Sequence, residues 1–292
     1  MIRKFLNKLE SLDPIEFSFL LSIFFILTHF QKILKNNPII FIPLIVVSAI
    51  GILFQESRQS KWLWGTLCAI YFLWIRLNWQ TIDNHMYLWG YWLLAIFMSL
   101  FAKNKTKTLQ YSAQYLIAFC MLFAFIQKIN PIFLSGDFFY YTLITDKRFF
   151  FIGKLVNFNM VNVISENNQM LSEMMSNTKS VILNPGPYIL HPLSKILTGY
   201  ILALEGLLAL IFFLPKKRLY QWQHWLLFLF FSVYILLPIR GFAFTLITMG
   251  IVLIKKKDVY LKVIYIGFLL YMFSVSDFVV DYLFSAMYPI LS

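Results

Sequence analysis

The sequence predicts an all-α fold, a polytopic membrane helix bundle of about nine transmembrane helices. Hydrophobic residues make up 60% of the 292 residues and charged residues only 13%, a balance far from that of a soluble domain. The apolar residues come in runs of about 20, the length that crosses the hydrocarbon core of a bilayer as a helix. Charged or polar pieces separate these runs, so the chain has room for about eight to ten crossings.

The predicted spans form a single transmembrane domain, 1–292, with one long interruption. They cover residues 17–34, 38–54, 62–79, 86–102, 109–129, 195–214, 221–238, 239–254 and 259–284. The first span follows Arg3, Lys4 and Lys8 and carries no small-residue cleavage site, which predicts a retained anchor rather than a removable signal peptide. The segment 130–194, between the fifth and sixth spans, is the only long extramembrane piece predicted.

Lysine and arginine residues predict the orientation, because loops on the cytoplasmic side of a membrane hold an excess of them. With a cytoplasmic amino terminus, fifteen fall in the predicted cytoplasmic segments. Only four fall in the short external ones, Lys32, Lys35, Arg76 and Arg240. The net charge of +12 is therefore explained by the orientation of the spans in a lipid bilayer, which we expect to be the plasma (inner) membrane. No nucleic-acid site is predicted.

The external segment contains one predicted helix, over residues 161–178. Val161, Ile164, Leu171, Met174 and Met175 would lie near one face, with the polar residues of this stretch elsewhere. Such a helix either packs over the outer end of the bundle or covers a site there as a lid. A protein partner would meet the molecule on this external face.

Motifs for metal binding or nucleophilic catalysis are missing from the sequence. Cys68 and Cys120 lie inside predicted spans without forming a C-x-x-C pair, and the four histidines are scattered. Both cysteines are predicted to be core residues, since a free cysteine behaves as a small hydrophobe. No metal site is predicted.

Ionisable residues in or beside spans are the remaining candidates, because a charge at the bilayer centre costs about 2.5 to 3.5 kcal/mol on insertion scales. Lys128 ends the fifth span and Glu205 lies near the middle of the sixth. A lysine and a glutamate brought together in a dry site can exchange protons as acid and base. A structural salt bridge, or an interfacial anchor in the case of Lys128, would give the same pattern. Asp137, Arg240 and Asp277 are candidate substrate-binding residues.

The segment FAFIQKINPIFLSGDFF resembles the KLnPeFLsG signature of the HTTM family, the bacterial relatives of vitamin K-dependent gamma-carboxylase, and more distantly DoxX-like membrane proteins. The span that carries Glu205, the basic turn after it and the next helix are similar in order to that family. The resemblance implies that Lys128 is a catalytic base acting on a quinol. A quinone or quinol is the cofactor that it suggests.

Two classes of function remain open from the sequence. The first is a quinol-linked or other redox-type membrane enzyme with an outward-facing site, Lys128 as base and Glu205 as its proton partner. The second is a non-catalytic membrane protein, either an accessory or assembly partner of an exported enzyme or a transporter. No broken helix or internal repeat, both common in transporters, is predicted. An enzyme should place both residues beside an apolar cavity, whereas lipid-facing side chains favour the accessory class.

Overall fold

A computed structural model describes residues 9–29, 38–80, 82–149, 159–177, 180–214, 216–236 and 239–274. Over these ranges the chain forms α-helices, two short 3₁₀ turns and irregular connections, without a β-strand. The predicted all-α fold is confirmed. The twelve α-helices in the described ranges are α1 (Pro14–His29), α2 (Pro38–Leu53), α3 (Lys61–Asn78), α4 (Asn84–Ser99), α5 (Lys105–Lys128), α6 (Pro131–Leu134), α7 (Asp137–Thr145), α8 (Met160–Asn177), α9 (Leu190–Phe213), α10 (Lys216–Leu236), α11 (Arg240–Val252) and α12 (Val259–Ser274).

A helix occupies each of the nine predicted spans, with ends that differ from the prediction by a few residues. The parts of the first and last predicted spans at 30–34 and 275–284 lie outside the described residues. Two of the described helices, α5 and α9, combine the length and the apolar composition that a membrane crossing requires. Each has 24 residues, about 36 Å at 1.5 Å per residue. Four shorter helices, α1, α2, α11 and α12, are also apolar.

The chain divides into two compact units, Met1–Ala118 with Ile239–Ser292 and Phe119–Pro238. The first unit has an aromatic core in which the Phe25 ring stacks on Phe244 at 4.7 Å. Trp92 donates from Nε1 to the Ser22 hydroxyl at 2.9 Å, which satisfies a buried indole nitrogen. Lys262 is also buried here, and its Nζ donates to the Leu9 and Leu12 carbonyls at 2.9 and 2.8 Å. A lysine at this position stabilises the carboxyl end of the first described helical turn.

The second unit is built around α9, against which α7 and α10 pack. Gln223 on α10 donates to the Ile211 carbonyl near the end of α9, so the two helices run antiparallel from a short turn. Phe133, Phe139 and Ile201 form a buried apolar cluster between the segment that follows α5 and the first half of α9. The functional candidates Lys128, Glu205 and Asp137 all belong to this unit.

The helix α5 ends at Lys128, within one residue of the predicted end of the fifth span, but two short helices that the sequence analysis did not predict follow it. Pro131 cannot donate a backbone hydrogen bond to a continuing helix, and Asn130 starts α6 by accepting from the Phe133 backbone nitrogen at 3.0 Å. Gly136 then takes φ +88°, a left-handed conformation that glycine adopts without strain, and α7 begins at the next residue. The helix break at 129–136 therefore separates α5 from two short helices rather than from a loop.

The helix predicted over 161–178 is confirmed as α8, and its predicted apolar face is only partly the buried one. The buried residues are Met160, Val163, Ile164 and Asn167, whereas Met174 is exposed. The Asn167 amide is buried because it donates to the Ile144 and Asn184 carbonyls and accepts from the Asn184 nitrogen. A polar residue that makes all of these bonds can replace an apolar one on the inner face.

Candidate functional site

Lys128 and Glu205 form an ion pair within the second unit. The Lys128 Nζ lies 2.7 Å from Oε1 and 2.8 Å from Oε2 of Glu205, so the ammonium contacts both carboxylate oxygens. The Glu205 side chain is only 5% exposed and that of Lys128 is 26% exposed. Two opposite charges with this geometry compensate much of each other's desolvation. The sequence predicted both residues as candidates, and the structure brings them together.

The end of α5 places the amine. Lys128 is the last residue of the helix, and its Nζ also lies 3.4 Å from the Ala124 carbonyl one turn earlier. A cation at this position interacts favourably with the helix dipole and with carbonyls that lack a partner in the helix. The Ala124 contact is long for a hydrogen bond, so the third N–H of the ammonium is only weakly engaged. That N–H is the one that can turn towards another acceptor.

The pair lies well inside the length of α9 rather than at its beginning. Along the helix axis Glu205 is about 22 Å from the first residue, Leu190, and about 12 Å from the last, Phe213. The Phe119 ring contacts the Phe213 ring at 5.0 Å, which fixes α5 and α9 as antiparallel neighbours over this region. Lys128 was predicted at the outer boundary of its span, but pairing with Glu205 puts it at the level of the α9 interior.

The segment after Lys128 runs along the first half of α9, towards the beginning of that helix. Phe133 packs on Ile201, and Gly136 lies beside Lys195, where an added Cβ would meet the backbone nitrogen at 3.2 Å. Further on, the Tyr140 ring stacks on His191 at 4.2 Å, and its hydroxyl donates to the Pro185 carbonyl at 2.7 Å. Burial raises the pKa of the Tyr140 phenol above its ordinary value, so this hydroxyl stays protonated and remains a donor.

Two aromatic rings, Phe133 and Phe125, lie near the ion pair. The Lys128 Nζ lies 5.7 Å from the centre of the Phe133 ring, within the range of a cation–π interaction. Gly206, next to Glu205, leaves space for the Phe125 ring, because a Cβ at this position would approach the ring to 3.3 Å. The exposed residues next to Lys128 on its α5 turn are mostly large and apolar, including Phe123, Ile126 and Ile129. The amine is thus reached over an apolar surface.

Tyr234 is a polar residue of the site that the sequence analysis missed. This residue of α10 is buried and lies close enough to Glu205 to interact with it electrostatically, as does Cys120 on α5. Cys120, predicted as a core residue, is half-buried, and Cys68 is buried in the first unit. Only the antiparallel packing of α9 and α10 reveals the position of Tyr234, since its spacing from Glu205 in the sequence carries no signal.

Of the other predicted site residues, Asp137 lies in the same unit as the ion pair and away from it. Asp137 is exposed at the start of α7, accepts a hydrogen bond from the Ser135 hydroxyl at 2.6 Å, and follows Gly136, which lies about 15 Å along α9 from Glu205. Arg240 is the first residue of α11 in the other unit. Asp277 lies outside the described residues.

Proton exchange is the chemistry that this arrangement can perform. An ammonium with a carboxylate and an amine with a carboxylic acid carry the same net charge, zero, so a proton can move between Nζ and Oε without changing the charge of the buried site. Either form then presents a donor or an acceptor to a third group. No family model, curated protein or solved structure matches the chain.

Proposed function

We propose that this chain is an integral protein of the plasma (inner) membrane with nine spans, a cytoplasmic amino terminus and an outward segment at 130–194, and that it is a quinol-linked or other redox-type enzyme. Lys128 acts as the base and Glu205 as its proton partner. The observation that carries the proposal is the bidentate contact of Nζ with both Glu205 oxygens on a site with little polar surface. A charge pair of this kind within apolar helices is expensive and usually functional.

The membrane assignment draws support from α5 and α9, which have the length and composition of spans, and from the shorter apolar helices. Large apolar side chains point outwards over much of the molecule, such as Ile39, Ile42, Trp62, Leu73 and Ile196. Exposed apolar surface on this scale is unfavourable in water and is expected of a surface that faces lipid. The basic clusters at 103–107, 216–218 and 255–257 support the proposed orientation of the chain in the membrane.

In the proposed mechanism Nζ of Lys128 first passes a proton to an Oε of Glu205, and the neutral amine then accepts a proton from a substrate hydroxyl. The first transfer can be direct, because Nζ lies 2.7 and 2.8 Å from the two Glu205 oxygens. The Glu205 side chain is only 5% exposed, so the carboxyl group that takes the proton is largely shielded from water.

The residues at the site fit a quinone or quinol. The weakly engaged third N–H of Lys128 can donate to a ring oxygen, and the exposed side chain of the adjacent Ile129 offers apolar surface for packing. A bound quinol supplies redox chemistry that begins with the loss of a hydroxyl proton. Lys128 would hold the ring oxygen, and Glu205 would keep the proton that Lys128 releases. This assignment agrees with the resemblance of residues 123–139 to the HTTM signature.

Quinone retention tests the proposal. The wild type, Lys128→Met and a matched control, Lys195→Met, are purified from membranes in mild detergent, and bound quinones are extracted and quantified by mass spectrometry. Lys195 is an exposed lysine that precedes Glu205 on α9 by about 15 Å along the helix axis. We expect the wild type and Lys195→Met to retain a quinone and Lys128→Met to lose most of it. A wild type that retains none, or equal retention by Lys128→Met, contradicts the proposal.

The helix break at 129–136 favours a second candidate, a proton-coupled transporter. Discontinuous helices that end beside an ionisable pair are a common way to build transport sites within a membrane. Proteoliposomes with a pH-sensitive dye inside separate the two functions. Proton movement across the bilayer that depends on Lys128 favours the transporter, and quinone retention without such movement favours the enzyme.

A further inference from the structure

Exposed lysines from three separate loops come together at one end of the first unit. We define the polybasic face as the exposed residues Lys61, Lys103, Lys105, Lys107, Lys255, Lys256 and Lys257. In the sequence these residues are up to almost 200 positions apart, and their clusters were used above only to assign topology. In the structure, the lysines near the start of α3, before and in the first turn of α5, and after α11 lie at the same end of the first unit.

Two contacts assemble this face. The Lys61 Nζ lies 4.3 Å from the centre of the Phe101 ring, which joins the start of α3 to the loop before α5. The Gln110 side chain donates from Nε2 to the Val252 carbonyl at 3.0 Å, which joins the first turns of α5 to the end of α11. Lys107 precedes Gln110 by three residues and Lys255 follows Val252 by three, so the two lysine loops lie at the same end of the unit.

Other cations at this end have structural partners and do not belong to the face. The Arg58 guanidinium donates to the Gly51 and Ile52 carbonyls at 2.8 and 2.9 Å, at the end of α2. Lys262 is buried against the carbonyls of residues 9 to 12, and the carboxylates of Glu10, Asp13 and Asp258 interact with it. The lysines of the polybasic face are all exposed, including Lys61 and Lys107, whose Nζ atoms lie over the Phe101 and Tyr111 rings.

We propose that the polybasic face binds the headgroups of anionic phospholipids in the cytoplasmic leaflet. Exposed aromatic residues accompany the lysines, including Trp62, Phe101, Tyr111 and Tyr260. Trp and Tyr prefer the headgroup level of a membrane, so they place the lysines beside the phosphates. Clustered lysines next to spans attract anionic lipids, each adding to the affinity within a Debye length of about 8 Å. This proposal rests on the membrane assignment above but not on the chemistry of Lys128.

Lipid binding by the purified protein tests this proposal without an activity assay. The probe is phosphatidylglycerol, titrated into protein in neutral detergent and counted by native mass spectrometry, with phosphatidylcholine as the neutral reference. The test variant is Lys255→Gln, Lys256→Gln, Lys257→Gln. One control replaces the same three lysines by arginine, and another replaces Lys147 and Lys195, which lie outside the face. We expect the glutamine variant to bind phosphatidylglycerol about 100-fold more weakly and both controls to bind it like the wild type.

Three results would overturn the proposal. The first is a wild type without preference for phosphatidylglycerol over phosphatidylcholine. The second is a glutamine variant that keeps the wild-type preference, and the third is full displacement of the lipid by inorganic phosphate at equal ionic strength, which would indicate a site for free anions. Size-exclusion chromatography checks that both variants are folded, and the arginine control keeps the charge, so a loss confined to a folded glutamine variant reports the charge of the face. Quinone retention by the glutamine variant reports separately on the Lys128 site.

Discussion

One ammonium joins the end of α5 to the interior of α9, because the Lys128 Nζ contacts both oxygens of Glu205 at 2.7 and 2.8 Å. This contact links the two described helices that are long and apolar enough to cross a membrane. Its consequences for stability and for proton transfer can be separated, since substitutions at the two positions affect them differently.

Removing one member of the pair should destabilise the protein more than removing both. Lys128→Met leaves a buried carboxylate without its partner and is expected to lower the free energy of unfolding by about 3 kcal/mol. In the double variant Lys128→Met, Glu205→Met most of this loss should be recovered, because well-packed apolar residues replace buried ion pairs at little cost. Thermal unfolding in detergent of the wild type, the two single variants and the double variant, which together form a double-mutant cycle, measures these losses. Equal and additive losses would mean that the two side chains are not coupled.

The exposed pair Arg148 with Asp146 provides the control for this cycle. More than half of the Arg148 side chain is exposed, so water and salt screen the interaction. Asp146→Asn is therefore expected to change the free energy of unfolding by less than about 1 kcal/mol.

Gly136 should tolerate no side chain. It has φ +88°, and a Cβ would lie 3.1 Å from the Ser194 hydroxyl oxygen. Gly136→Ala is expected to cost about 1 to 3 kcal/mol and to lower the temperature of unfolding. Gly199→Ala, in the same unit, places its Cβ in open space on α9 and should instead be neutral or stabilise by about 0.5 to 1 kcal/mol. A Gly136→Ala protein as stable as Gly199→Ala would contradict the conformation of the helix break.

Asn167 should hold α8 to the segments beside it. Its side chain joins α8 to the end of α7 and to the loop at Asn184 through three hydrogen bonds. Asn167→Ala leaves these buried partners unpaired and is expected to cost about 2 kcal/mol locally. Limited proteolysis of the segment 130–194 should therefore be faster in this variant than in Gln169→Ala, whose side chain is exposed. Equal rates would show that the segment is held by other contacts.

The orientation predicts which residues a membrane-impermeant maleimide can reach in whole cells. In a background with Cys68→Ser and Cys120→Ser, Gln169→Cys should react from outside, whereas Lys105→Cys should react only after permeabilisation. The reverse pattern would overturn the sidedness, and the outward placement of segment 130–194 would fail with it.

Hydrophobic runs were sufficient to predict a helix in each of the nine proposed spans, because α-helix length and apolar composition are local properties. The cost of a charge in an apolar helix selected Lys128 and Glu205, but together with Arg240 and Asp277. The end of α5 at Lys128 was predicted to within one residue. The short helices α6 and α7 were missed because the residues after Lys128 were interpreted as a loop. The buried face of α8 was only partly predicted because burial of Asn167 depends on carbonyls from two other segments.

The level of Lys128 along α9 and the proximity of Tyr234 to Glu205 could not be predicted for a related reason. Both depend on the register between antiparallel helices, which contacts such as Phe119 with Phe213 determine. Asp137 was predicted as a candidate substrate-binding residue, but the path of the chain along α9 carries it away from the ion pair. Register and rise are properties of packing, and a single sequence contains no direct signal for either.

The most direct test of the central claim is the behaviour of Lys128→Arg in a strain that lacks the wild-type gene. Arginine keeps the positive charge and can pair with Glu205, but it does not release a proton in proteins. If Lys128 exchanges protons with Glu205, the variant should be inserted and folded like the wild type, as judged by size-exclusion chromatography, and should fail to complement. Complementation by Lys128→Arg equal to that of the wild type would mean that the ion pair is only structural.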